Sequence, residues 1–378
     1  MAKDKKTKSN AVPTLMKLLF FASFIGLGIF IGADINYHLG ENATDVEYYL
    51  RAALYLLVIC AVYLLHIIVH EGGHLVFGLL SGYRFSSFRI GNVIITKEGG
   101  KLKFSRYALA GTAGQCLLSP PEEKDGKIPV MLYNLGGVLF NVLLAAVSLA
   151  LYIAFPRVPL LSAMLMMSVI IGFVTAAMNG VPMQMGIVNN DGYNAVSLGG
   201  DVHAMRAFAN QLSINGRMTL GERLRDMPQE LFELPDGADM RNPIINTITV
   251  FKCNRLMDEN RFSEVRELAA RLIADENVIG IYKNILTCDL AFCEMLAGET
   301  DTAKSRFTKE QKKFMAAMRS NPGVIRTEYA FALLCEKDTA KAEKCLADFE
   351  KAAKKHPYKG DAESERGIIA AAKRVVSV

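Results

Sequence analysis

Four stretches of this sequence, residues 12–33, 50–80, 128–155 and 160–178, are long and apolar enough to cross a lipid bilayer as helices. About 20 consecutive apolar residues carry a helix across the roughly 30 Å hydrocarbon layer. A helix also satisfies its own backbone polar groups where no water can. The chain is therefore read as crossing the membrane four times. Lys17 lies close enough to the end of the first stretch to extend its ammonium group to the interface. The second stretch would measure roughly 45 Å at 1.5 Å per residue, so its final turns run past the layer.

Charge sets the orientation. Lys3, Lys5, Lys6 and Lys8 precede the first stretch, residues 34–47 are acidic and polar, and residues 81–127 hold eight Lys or Arg against four Asp or Glu. Cytosolic flanks carry the excess of basic residues, which puts the N-terminus and the 81–127 loop in the cytosol and the 34–47 loop outside. Four spans return the C-terminal part to the cytosol. The first stretch is too long for the core of a cleaved signal peptide and reads as a signal anchor. The expected location is the cell membrane, multi-pass, with both the N-terminus and the C-terminal domain cytosolic.

Hydrophobic residues make up 51% of the chain, and the long apolar runs lie almost wholly before position 200. Beyond that position the chain is charged and helical in pattern, with Pro228, Pro235 and Gly237 marking a linker. The expected domains are a basic cytosolic tail (1–11), a membrane-embedded domain (12–202), a linker with a juxtamembrane helix (203–239) and a cytosolic helical domain (240–378). A net charge of +5, dispersed and balanced locally by acidic residues, excludes a nucleic-acid binder. Seven cysteines without a CxxC pair fit a reducing compartment.

Residues 85–96 and 101–106 read as two strands joined at Gly99 and Gly100, a two-residue hairpin signal. Gly111-Thr112-Ala113-Gly114-Gln115, followed by Pro120-Pro121, reads as a loop dipping back towards the membrane helices. In the C-terminal domain, turn signals at 258–261, 298–301 and 336–338 recur about every 38 to 40 residues, near the period of helix-hairpin repeats. The expected fold class is thus an α-helical integral membrane protein with four transmembrane helices and a small membrane-associated β-hairpin. It ends in an all-α soluble domain, either like tetratricopeptide repeats or a plain helical bundle.

His70-Glu71-Gly72-Gly73-His74 is an H-E-x-x-H motif inside the second apolar helix, in a chain with six histidines. Positions i and i+4 share a helix face, so both imidazoles can bind one Zn²⁺, and Glu71 beside them can take a proton from a metal-bound water. Ionisable groups in an apolar helix are costly unless they pair or bind metal. A catalytic zinc site takes three protein ligands. Asp191, followed by Gly192 just after the fourth stretch, is the candidate for the third. His66 extends the row by one turn, as an alternative ligand, a partner behind the ligands, or an interhelical hydrogen bond.

These residues resemble the site-2 protease family of intramembrane metalloproteases. His70-Glu71-Gly72-Gly73-His74 matches its paired ligands and base, Gly136-Gly137-Val138-Leu139-Phe140-Asn141 looks like its Gly-Pro-x-x-Asn block, and Asn190-Asp191-Gly192 looks like its Asp-Gly block. The likeness covers roughly residues 50–200. Two departures stand out: Val138 replaces the family's Pro, and Asn179-Gly180-Val181-Pro182 lies about four residues further from the Asp than in the usual Asn-x-x-Pro pattern. No PDZ-like or CBS-like segment is recognisable.

The resemblance implies peptide-bond hydrolysis by a zinc-activated water, with metal ligands His70, His74 and Asp191 and general base Glu71. Asn141 would hold the substrate backbone or the developing oxyanion, or else serve as a hydrogen bond between helices. Substrates would be single-span membrane proteins or remnants of signal peptides, unwound before cleavage because a helix hides its carbonyls. The β-hairpin offers an edge for capturing an extended substrate, and the C-terminal helices offer a surface for a protein partner. Two other readings stand beside this one: a membrane-anchored helical scaffold with a vestigial metal site, and a metal-dependent membrane enzyme that is not a protease.

Overall fold

The computed structural model describes residues 11–39, 44–98, 100–106, 112–124, 127–155, 158–185, 188–198, 200–235, 237–278, 280–356 and 358–376. The basic residues Lys3, Lys5, Lys6 and Lys8, and the expected turn residues Gly99, Gly111 and Pro156, lie outside them. The chain divides into two compact units. One comprises Met1–Tyr83, Gly111–Cys116 and Pro129–Gly200; the other comprises Arg84–Ala110, Leu117–Ile128 and Asp201–Val378.

The first unit contains four helices long and apolar enough to cross a membrane: α1 (Ala11–Leu39), α2 (Asp45–Leu80), α3 (Val130–Ala154) and α4 (Pro159–Gly180). Their outward side chains, Ile25, Leu57, Leu143 and Ile153 among them, are exposed apolar groups, as helices that face lipid require. The 34–47 segment differs from the expected open loop, because α1 stays helical to Leu39 and α2 begins at Asp45. Local chemistry accounts for both ends. The hydroxyl of Tyr55 on α2 donates to the Asp34 carboxylate on α1, and a reciprocal cap between Thr44 and Glu47 starts α2.

Helices α2 and α3 come into backbone contact where two glycines meet. A Cβ on Gly73 would fall 2.2 Å from the carbonyl oxygen of Gly136, and one on Gly136 would fall 2.4 Å from that of Gly73. Such backbone contact is how transmembrane helices pack without a hydrophobic driving force between them. Leu27 and Ile35 of α1, Val58 and Val62 of α2, and Ala163 and Met167 of α4 form a separate apolar core. After α4 come a short hairpin, β5 (Gln184–Met185) and β6 (Val188–Asn189), and helix α5 (Asp191–Leu198).

The expected β-hairpin proves to be part of a larger antiparallel sheet. Strands β1 (Arg84–Ile90), β2 (Val93–Glu98), β3 (Lys101–Arg106) and β4 (Gly114–Ser119) lie in the order β3-β2-β1-β4. The stretch expected as one strand over 85–96 turns at Gly91, whose φ of +56° suits glycine, so that Ile90 pairs with Val93. Glu98 pairs with Lys101 across the second turn. The loop expected around Gly114 is instead strand β4.

Helix α6 (Val202–Thr219) leads into the tail helices α7 (Pro243–Asp258), α8 (Phe262–Ala274), α9 (Gly280–Leu296), α10 (Thr300–Arg306), α11 (Lys309–Ala317), α12 (Pro322–Ala330), α13 (Thr339–Lys355) and α14 (Lys359–Val376). Each expected break contains a left-handed residue, at Asn260, Gly298 and Lys337. Leu286, Phe292, Phe349 and Ile368 belong to the tail's apolar core. Arg326 is buried beside it, 2.5 Å from Asp289 and 3.1 Å from Glu365, with its guanidinium 4.9 Å over the Phe292 ring. Burial pushes the Glu365 carboxyl up to about 8 and Arg326 pulls it the other way.

Candidate metal centre

Two elements of the membrane unit, α2 and α5, converge on one point. The ring nitrogen Nε2 of His70 lies 3.1 Å from Asp191 Oδ2, and Nε2 of His74 lies 3.4 Å from the same oxygen. The two Nε2 atoms are 3.1 Å apart, with the rings edge to face. Among the described residues, His70, His74 and Asp191 form a group able to hold a metal ion, each offering one ligand atom within 4.8 Å of the others. The donor chemistry fits a cation. Asp191 Oδ2 is buried and makes no aligned hydrogen bond despite its two neighbours, so a carboxylate oxygen stands unsatisfied between two imidazole nitrogens, as a cation site leaves it.

The helix period places His70 and His74 on one face of α2. A Cβ on Gly137 of α3 would come within 2.6 Å of the His70 ring, so the second glycine of α3 makes room for that ligand. The tautomer of His74 is set by the backbone, because its Nδ1 donates to the carbonyl of Tyr133 at 2.7 Å and leaves Nε2 with a lone pair. Tyr133 is held in turn, its hydroxyl donating to the carbonyl of Cys116 at 2.9 Å.

Asp191 opens α5, and its neighbour Asn190 fixes it there. The Asn190 side chain accepts from the backbone N–H of Met183 and of Tyr193, each at 2.9 Å, and donates to the carbonyls of Met178 at 2.8 Å and Val181 at 2.6 Å. One amide thereby ties the end of α4 to the start of α5. A Cβ on Gly192 would lie 2.1 Å from the carbonyl oxygen of Gly180, so α5 seats backbone against backbone. The β5–β6 hairpin takes up the longer spacing between Asn179 and Asp191. Val138, at the position of the family's Pro, contacts the same turn, since a Cβ on Gly180 would be 3.0 Å from its Cγ1.

Glu71 is buried within α2, and Gly114 at the start of β4 lies against it, where a Cβ would be 2.5 Å from Glu71 Oε1. The expected approach of the 111–115 segment to the membrane helices is therefore made by the first residue of a strand. Asn141 is buried with both amide atoms facing imidazoles, those of His66 and His70. Cys60 is exposed on α2 and Cys116 is buried on β4, with burial pushing its thiol upward. A cavity of 530 Å³ in the other unit, lined by Pro120, Glu123, His203, Arg206 and Glu230 among others, contains no residue of this centre.

Against known proteins, residues 58–321 match the family model of peptidase family M50, the site-2 protease family. The chain belongs to peptidase family M50. The match runs well beyond residue 200, where the recognisable motifs stop, and takes in helices α6 to α11. Membership makes this M50 chain a metallopeptidase of the intramembrane type, and its four apolar helices agree with a membrane protein. No curated protein and no solved structure gives a significant match to it.

Proposed function

We propose that the chain is an intramembrane zinc endopeptidase with His70, His74 and Asp191 as metal ligands and Glu71 as general base. The observation that carries this reading is the convergence of two imidazole nitrogens and one carboxylate oxygen beside the only H-E-x-x-H motif in the sequence. Zinc at these donors would polarise a scissile carbonyl and lower the pKa of water. The carboxylate of Glu71 then accepts the proton of the attacking water and delivers it to the leaving amine, so each turnover returns it ionised. The carbonyl of Tyr133 holds the His74 ring, and Asn190 holds the start of α5 that carries Asp191.

The substrate is proposed to be a membrane-embedded protein or a signal-peptide remnant, presented as an unwound segment. β4 lies at an edge of its sheet and its first residue touches Glu71. That favours β4, rather than the β2–β3 hairpin, as the edge to which an extended substrate adds. The charge pattern supports cytosolic placement of the N-terminus, the 81–127 loop and the tail. In this arrangement 12–202 is the protease domain in the bilayer, 203–239 a linker, and 240–378 a tetratricopeptide-like domain available to a protein partner. Its left-handed turns at Asn260, Gly298 and Lys337 support a repeating helix-turn-helix plan.

Co-expression with a panel of tagged single-span membrane proteins tests the proposal. Wild type should yield fragments that disappear on metal chelation and are absent with Asp191→Ala. Identical fragment patterns from both proteins would reject proteolysis at this centre.

A further inference from the structure

Behind His70 the polar side chains continue as an unbroken hydrogen-bonded chain through three membrane helices. Asn141 of α3 stands between two rings, its Nδ2 3.1 Å from His70 Nδ1 and its Oδ1 3.2 Å from His66 Nδ1 on α2. On the far side, His66 Nε2 is 3.0 Å from Ser168 Oγ on α4, and Ser148 of α3 donates to that oxygen at 2.9 Å. None of His66, Asn141, Ser148 and Ser168 is more than 5% exposed. The packing reserves space for the chain. A Cβ on Gly172 would come within 2.7 Å of the His66 ring and 2.8 Å of Ala145 Cβ. His66 thus sits in a slot that even alanine would close, as His70 does beside Gly137.

The two histidine ligands differ in what stands behind them. A backbone carbonyl can only accept, so His74 has one tautomer. The amide behind His70 can accept through oxygen or donate through nitrogen, and a half-turn of its plane presents either atom to the same two ring nitrogens. His66 and the serines are equally ambivalent, so the polarity of the chain is decided at its ligand end. A metal on His70 Nε2 uses that lone pair and leaves the proton of the neutral ring on Nδ1. The amide must then be turned over from the placement above, offering its oxygen to His70 and its N–H to His66 Nδ1. His66, left with its proton on Nε2, donates to Ser168.

We infer that Asn141 and His66 are positioning residues of the metal centre, holding zinc-bound His70 in its Nδ1–H tautomer through a hydrogen-bond chain of fixed polarity that ends at Ser168. The inference rests on the reading of His70 as a ligand. It gives Asn141 a task directed at a ligand rather than at the substrate, and it gives His66 one that is not ligation.

The test uses the full-length protein in detergent micelles with ¹⁵N-labelled histidine, whose six residues are few enough to assign by single replacement. In the zinc-loaded wild type, the ring shifts should show His66 protonated at Nε2 and bare at Nδ1. Asn141→Asp keeps an acceptor for His70 but has no N–H to give, so the His66 proton should move to Nδ1 while zinc affinity stays within about threefold. Asn141→Leu should weaken zinc binding by about 10- to 100-fold in a chelator competition. A mere interhelical tie would change the unfolding midpoint and leave zinc affinity alone. His66 protonated at Nδ1 in zinc-loaded wild type overturns the inference, and so does an Asn141→Leu protein that folds and binds zinc within about twofold of wild type. If that variant does not fold, the wild-type tautomer and the Asn141→Asp shift decide the matter. A wild type that takes up no zinc contradicts the proposed function and the chain with it, whereas zinc-loaded, active enzyme with the wrong His66 tautomer contradicts the chain alone.

Discussion

Arg326 in the tail and Asp191 beside the membrane helices both carry charge into poorly solvated surroundings, yet their neighbourhoods are built on opposite principles. Arg326 meets its opposites, Asp289 and Glu365, and lies over the face of Phe292. Arg306 likewise pairs with Glu294, and Arg223 with Asp258. Each of these clusters sets a guanidinium against carboxyl groups of opposite sign. Asp191 meets the imidazoles of His70 and His74, groups that can each offer a metal a ligand atom. Burial of polar groups is therefore no guide to chemistry by itself. The sign balance of a cluster is the guide, since complementary donors and acceptors cement a fold whereas converging acceptors make a binding site for a cation.

The comparison breaks most visibly if Arg326 is removed. Arg326→Met leaves two buried carboxyls without a counter-charge and should cost the tail about 3–5 kcal/mol. Urea-dependent labelling of the buried thiols of Cys288 and Cys293 reads this loss. Zinc content of the folded protein should not change, and a loss of zinc in parallel with the tail would mean that the two clusters are not independent.

Asn190→Ala provides the converse, because it removes four hydrogen bonds that position a ligand and leaves the tail clusters untouched. Zinc binding should weaken by about 10- to 100-fold, the range typical of groups that orient metal ligands. The urea midpoint of the tail should stay at its wild-type value. Unaltered zinc affinity in this variant would show that α5 holds Asp191 without its clamp.

The smallest effect is expected at an exposed ion pair. Arg261 contacts Glu264 and Glu259 at the surface, where water and salt screen the attraction. Arg261→Ala should leave the urea midpoint within experimental error. A shift comparable to that of Arg326→Met would show that ion pairing, not burial, distinguishes the tail clusters.

Most of this organisation was legible in the sequence, for reasons that differ by element. The four membrane helices announce themselves by the length of their apolar runs, and His70, Glu71 and His74 by helical spacing on one of them. Asp191 was legible through its Gly192 neighbour and its place after α4. Asn190 lay in the same motif, but its four partners span residues 178–193 and no periodic pattern marks an amide as a clamp. β4 was hidden because its ladder partner β1 lies about 30 residues upstream and its own six residues do not alternate. The Gly91-Asn92 turn carried a hairpin signal that the longer apolar stretch around it obscured. His66 was visible as one more residue on the ligand face, but the seat that explains it comes from Gly172 and Ser168 on another helix.

The central claim is that Glu71 performs proton transfer in a centre built from His70, His74 and Asp191, and Glu71→Gln tests it most directly. Glutamine keeps the size and hydrogen bonding of the side chain beside Gly114 and removes its ability to take a proton. Zinc content and cleavage of a reconstituted membrane-embedded substrate should be measured on the same purified preparation. The expected result is about one zinc per chain, as in wild type, with cleavage reduced about 10²-fold or more. Full cleavage by the zinc-loaded Gln variant would contradict the assignment of Glu71 and with it the proposed mechanism.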